Sequence, residues 1–302
     1  YPGMHSGNSG EEGTWATSMA NWAAWFGGSG KVIMVGEYGT VEMKRAKYWQ
    51  GDISDEQKAR TYAACVAQWY AMGVQGIFCW AWQGGIGRDK ETGELNQGAQ
   101  ELPKWAQAFR NSKRALGQAR IAVVCARKRR SQYGSRKNLW GISDALLGAG
   151  LVPFTAIFPS QIEADERILA RFDAVLVLTE DLPEGCIATI RETVPKALWL
   201  TESLEALPAA ISHIAERVPA VSGAPGVIVA EAPMSVTLFV RQSSRFSGKI
   251  RFRMPRASGK GVLLDETGET VWQGDAEQLS RDGISLDLPP WECRTLSWRS
   301  SD

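Results

Sequence analysis

The chain has 302 residues, enough for two or three domains, and its 44% hydrophobic and 22% charged content is that of a globular protein. A net charge of +1 gives no electrostatic case for nucleic acid or a membrane surface, and no apolar run approaches transmembrane length. The five cysteines (Cys65, Cys79, Cys125, Cys186, Cys293) are odd in number and form no CxxC pair, so reduced core thiols and a cytoplasmic leaning are expected. The chain opens on Tyr1-Pro2-Gly3 without an initiator Met or a signal-peptide pattern, so targeting is not read.

In chain order, helical spacing of Trp15, Met19, Trp22, Ala23 and Phe26 predicts a helix over 12–26, ended by Gly27-Gly28. The run Val32-Ile33-Met34-Val35 predicts a buried parallel strand that closes on Gly36-Glu37-Tyr38-Gly39. Ser54 and Gln57 have capping-box spacing and open a predicted helix to about residue 72. A second strand, 76–82, ends in Trp80-Ala81-Trp82, and a helix is predicted over 102–110. The polar stretch 111–118 reads as a linker.

Strands are then predicted at 121–125, 152–157, 174–178 and 197–200, alternating with helices at 139–147, 164–171, 187–193 and 204–217. That alternation implies a small parallel sheet with helices on both faces. After Gly223-Ala224-Pro225-Gly226 the period changes to two, with turns at Ser258-Gly259, Thr267-Gly268 and Asp282-Gly283. The expected domains are 1–115, 119–220 and 226–302, the last a small antiparallel β-sandwich.

Glu37 at one strand end and Trp80 at the next suit sugar-ring chemistry. A carboxylate meets an oxocarbenium-like centre, and an indole face packs on the ring. Glu37 capping a helix or pairing with a surface lysine is the plainer alternative. Seven of the 13 tryptophans fall within the first 82 residues, but large cores also use tryptophan.

The pattern Val35-Gly36-Glu37-Tyr38-Gly39 resembles the end of barrel strand seven in clan A retaining glycoside hydrolases, where the glutamate is the nucleophile. The resemblance implies that residues 1–115 are the closing third of a (β/α)8 barrel. Trp80 then matches the strand-eight tryptophan beneath the sugar, with Trp82 beside it. Tyr1-Pro2 resembles the strand-six step whose tyrosine orients the nucleophile. Trp49, Gln83 and Arg88 fall on loops expected at the same mouth, where loop packing is an equal alternative to sugar contact. The second and third segments resemble, in architecture, the flavodoxin- or amidotransferase-like trimerisation domain and β-sandwich of the family forty-two β-galactosidases. The implied protein is a retaining β-glycoside hydrolase acting on a β-linked oligosaccharide or glycoside. No cofactor or metal is expected, and a homo-oligomer is.

One departure matters. Clan A places its acid/base glutamate after an asparagine on strand four, and this chain has no Asn-Glu step. A retaining mechanism needs two carboxylates about 5–5.5 Å apart. The second is therefore expected from a chain or segment carrying barrel strands one to six. Two alternatives stay open. One is an inactive fragment or scaffold that keeps the oligomerising domains. The other is a phosphate- or nucleotide-binding regulator using the basic loop 127–137 (Arg127-Lys128-Arg129-Arg130, then Arg136-Lys137). Amidotransferase chemistry at Cys186 with His213 is not expected, because both read as structural.

Overall fold

The computed structural model describes residues 24–25, 33–38, 74, 76–79, 88–89, 91–95, 99–100, 103, 120–126, 139, 141–146, 149, 151, 154–201, 204–218, 220–222, 227–232, 235–240, 246–253, 257–265, 267–288 and 293–301. The predicted helix starting at Ser54, the linker 111–118 and the basic loop 127–137 lie outside these residues.

Two strands, β1 (Met34–Tyr38) and β2 (Gly76–Cys79), pair in parallel. Downstream, β3 (Ile121–Val124), β4 (Phe154–Ile157), β5 (Ala174–Leu178) and β6 (Leu198–Leu200) form a fully parallel sheet in the order β4-β3-β5-β6. Every residue of β3, β4 and β5 is buried, as both-face coverage requires.

The strand order dictates where the helices go. β4 lies on one side of β3 and β5 on the other, so right-handed crossovers place the β3–β4 helix on one face and the β4–β5 and β5–β6 helices on the opposite one. On one face α1 (Pro159–Ala164) and α2 (Glu184–Thr193) contribute Ile162, Cys186 and Ile190, which pack with Ala122, Val124, Val175 and Val177. The helical residues 139 and 141–146 belong to the β3–β4 crossover and so to the opposite face, where Leu139, Ile142 and Leu146 are fully buried at helical spacing. Arg120 and Asp173, paired just before β3 and β5, tie the amino ends of the two central strands. A third helix, α3 (Leu207–Ala215), follows β6.

The helix expected over 164–171 is placed differently. It spans Pro159–Ala164, and residues 168–171 form a single 3-10 turn. Pro159 presets the first-turn φ, and the Gln161 side chain accepts from the Phe158 N–H at 2.9 Å. At the other end the Asp165 carboxylate accepts from the Arg167 N–H at 3.1 Å, a local competitor of helix continuation. The helix expected from 102 is already formed at Ala99–Gln100.

Both remaining sheets are antiparallel. Strands β7 (Ala220–Ser222), β10 (Phe246–Arg253) and β13 (Ile284–Leu288) form one, in the order β13-β10-β7. The other runs β12-β11-β14-β9-β8, from β8 (Val227–Ala232), β9 (Ser235–Val240), β11 (Lys260–Leu264), β12 (Thr270–Asp275) and β14 (Cys293–Ser300). Ala220–Ser222 precedes the Gly223–Gly226 step and still pairs with β10. Ile250, Phe252, Ile284 and Leu286 from one sheet share a core with Leu263, Leu296 and Trp298 from the other. The period-two pattern is therefore a face-to-face packing.

This unit also holds a helix the alternation did not show, α4 (Ala276–Asp282). Asp275 caps it, accepting from the Glu277 N–H at 2.8 Å, and Leu279 points into the core. Trp272 and Trp298 lie 6.1 Å apart, and the Trp298 ring sits so close over Gly261 that a Cβ there would come within 2.4 Å of it. These two tryptophans serve packing.

Gly185, inside α2, has open space where a Cβ would stand. Gly185→Ala is expected to raise stability by about 0.5 kcal/mol, since a helical glycine costs backbone entropy and nothing here needs it. A urea melt checks this; a loss above about 1 kcal/mol would contradict it.

Candidate functional site

Because β1 and β2 are parallel, both carboxyl ends emerge at one edge, with Tyr38 opposite Cys79. Glu37 is the penultimate residue of β1, so its backbone stands at that edge. The pairing is irregular there. Val35 faces Ile77 and Tyr38 faces Cys79, leaving Gly36 and Glu37 together opposite Phe78. One extra residue on β1 breaks the two-residue alternation and bends the strand, a device that re-aims a side chain next to a site. Sequence reasoning missed this bulge. The signal was Gly36, since a glycine inside an apolar strand commonly marks one.

Among the other expected site residues, Tyr1, Trp49, Trp80, Trp82 and Gln83 lie outside the described residues. Trp80 follows Cys79 directly in sequence. Arg88 is described and exposed. Its Nη1 donates to the Gly93 carbonyl at 2.6 Å, and its backbone bridges to Leu95. Gly93, at φ +71, closes the turn, and the Asp89 carboxylate accepts from the N–H groups of Glu91 and Thr92 at 2.8 and 2.7 Å. The Thr92 N–H, then that of Glu91, holds the Asp89 carboxyl below the usual carboxylate range. Arg88 is thus engaged in its own turn.

The parallel sheet reverses order at the carboxyl ends of β3 and β5, the place where open α/β sheets commonly bind ligands. Cys125 and Ala126 there are buried. The Thr179 hydroxyl donates to the Leu200 carbonyl at 3.1 Å, and Glu180 and Asp181 place two carboxylates at the same end. Loop 127–137, the basis of the phosphate reading, also leaves from here but lies outside the described residues.

Neither described free thiol suits nucleophilic work. Burial pushes the Cys125 thiol up to about 12. Cys186 is raised too, first by burial and then by the Glu163 carboxylate, whereas a reactive cysteine needs a lowered value. His213, on α3, meets Arg217, with Nε2 at 2.6 Å from Nη2, and Glu216 at 3.8 Å, both just past the helix end. Iodoacetamide at pH 8 is expected to leave Cys125 and Cys186 unmodified until the protein is unfolded. Rapid labelling of either in the native protein, read by peptide mass, would contradict this. Among the described residues no group of three His, Cys, Asp or Glu could hold a metal ion, and no helix is long and apolar enough to cross a membrane.

No family model matches the chain, and no curated protein matches it in sequence. A solved structure does match in fold: the apo form of an exo-carrageenase GH42 from Bacteroides ovatus. The TM-score is 0.58 at 10% identity, over 94% of this chain and 44% of that one. The chain therefore spans less than half the length of this neighbour. At that identity the likeness is one of fold alone.

Proposed function

We propose that the chain carries the closing part of the catalytic barrel of a retaining β-glycoside hydrolase, with Glu37 as nucleophile. The observation that carries this reading is Glu37 at the carboxyl end of a parallel strand, inside a bulge, beside the strand end that leads into Trp80. The GH42 fold of the neighbour supports it. In this reading the Glu37 carboxylate attacks the anomeric carbon, the glycosidic C–O bond breaks, and a glycosyl ester forms. A carboxyl group from outside this chain protonates the leaving oxygen and then takes a proton from the water that cleaves the ester. Tyr1 donates to Glu37, Trp80 packs beneath the ring, and Trp82, Trp49 and Gln83 border the outer sugars.

The same reading accounts for two exposed apolar side chains. Met34 and Phe78 are 51% and 58% exposed. Met34 reaches over Gly76, and Phe78 lies two residues beyond it, so both stand on one face of the β1–β2 pair. Parallel strands are normally covered on both faces, and a barrel has no free edge, so further barrel strands are the fitting cover. Residues 1–115 alone are expected not to fold, and a cooperative melt of that segment would refute the barrel assignment.

The direct test is intact mass after exposure to 2-fluoro glycosides with dinitrophenyl leaving groups, which need little acid assistance. Carrageenan oligosaccharides belong beside that panel because of the neighbour's activity. One fluorosugar adduct on the peptide containing Glu37 is expected. No adduct from any sugar, with or without strands one to six supplied, would leave the scaffold reading.

A further inference from the structure

Two contacts join the segment ahead of β1 to the parallel sheet. Thr155 is on the edge strand β4 and is only 4% exposed, yet polar. Its hydroxyl donates to the carbonyl of Ala24, itself fully buried, at 3.1 Å. One residue on, the Trp25 ring meets Phe158 edge to face, with centroids 4.9 Å apart. Phe158 is buried at the carboxyl end of β4, where it immediately precedes Pro159 and α1.

The chemistry of the first contact is specific. Ala24 and Trp25 are helical and stand just ahead of Gly27-Gly28, where the sequence predicts the helix to end. Carbonyls in a last helical turn have no partner within the helix, and a buried one must find a donor elsewhere. A valine at 155 would fill the same space and leave that carbonyl unsatisfied. The second contact fixes orientation, because edge-to-face aromatic pairs hold a defined geometry. Only a short connection separates Trp25 from Ile33 and β1.

We infer that the parallel sheet braces the strand bearing Glu37, through the Thr155 hydroxyl on Ala24 and the Phe158 ring on Trp25. The β4 edge thereby becomes the seat of the helix that feeds β1, and Thr155 and Phe158 are positioning residues. The catalytic consequence rests on the assignment of Glu37; the brace does not.

The experiment is peptide-level hydrogen–deuterium exchange on the full chain, comparing wild type with Thr155→Val, Thr155→Ser and Phe158→Leu. Thr155→Val is expected to speed exchange across residues 33–38 by about tenfold, with 174–178 and 260–264 unchanged. Thr155→Ser keeps the donor and is expected to keep wild-type rates, and Phe158→Leu to give an intermediate rise. Unchanged exchange at 33–38 in Thr155→Val overturns the brace, as does an equal rise at 174–178, which would mean general loss of the sheet. Where fluoroglycoside trapping succeeds in wild type, Thr155→Val is also expected to slow the trapping step without changing its concentration dependence. If wild type is never trapped, the assignment of Glu37 fails while the exchange result still decides the brace.

Discussion

Replacing Glu37 with glutamine is expected to abolish covalent trapping and to lower turnover of a dinitrophenyl β-glycoside by at least about 10³-fold, with little change in KM. The amide keeps the shape and hydrogen-bonding reach of the carboxylate but has no charge with which to attack the anomeric carbon. With this leaving group the first step needs little acid assistance, so the loss of trapping and of the first release of dinitrophenolate isolates the nucleophile from the acid/base group expected outside the chain. Glu37→Ala adds a second reading. Azide can enter the vacated space and attack the same carbon, so it is expected to restore part of the turnover and give a glycosyl azide of inverted configuration. If Glu37→Gln keeps more than about a tenth of the activity, Glu37 is not the nucleophile. An activity that azide fails to touch in Glu37→Ala points to the same conclusion.

Gly283→Ala is expected to cost about 3 kcal/mol, the largest effect of any small substitution considered. Gly283 follows α4 with φ +66, a conformation that L side chains rarely adopt. An added Cβ would stand 2.3 Å from the Ile250 carbonyl oxygen, and Ile250 is a fully buried member of the sandwich core. Backbone atoms cannot swing aside as a flexible side chain can. Either β10 shifts and disturbs its pairing with β13, or the turn opens and uncovers Leu279. Fluorescence of the unit's tryptophans in a urea titration reads the change. A midpoint within error of wild type would show that the turn relaxes freely.

The two glycine substitutions show how unevenly the structure could be read from the chain. Both remove a glycine for an alanine, and the expected signs are opposite. Asp-Gly is turn chemistry, so local sequence expected Gly283 in a turn between strands; in the structure it caps α4 ahead of β13. What makes it irreplaceable is the approach of β10, which comes from a strand more than 30 residues upstream. Gly185 carries no such approach, and nothing in Glu184-Gly185-Cys186 announces that.

Much of the fold was written in short-range pattern. Continuous apolar runs gave β3 and β5, because strands buried on both faces need apolar residues at every position. Alternation gave β9 and β10, because a sandwich strand has one dry face and one wet one. Two helices escaped. The helix at Pro159–Ala164 was displaced along the chain because its proline start and its Asp165 stop outweigh apolar spacing further on. The helix α4 was hidden because its seven residues are too few to show a helical period within a two-residue one.

The amino-acid sequence alone determined the kind of layers this protein builds, and it singled out Glu37 at a strand end as the group worth testing. Those readings follow from side-chain periodicity and turn chemistry, which act over a few residues. Tertiary structure alone decided that β1 and β2 lie side by side, that the extra residue of the bulge falls at Gly36–Glu37, and that Thr155 reaches a carbonyl 131 residues away. Each depends on which strand pairs with which and in what register. Such pairings are settled by the burial of whole faces and the satisfaction of buried polar groups, and no local window of the chain contains them.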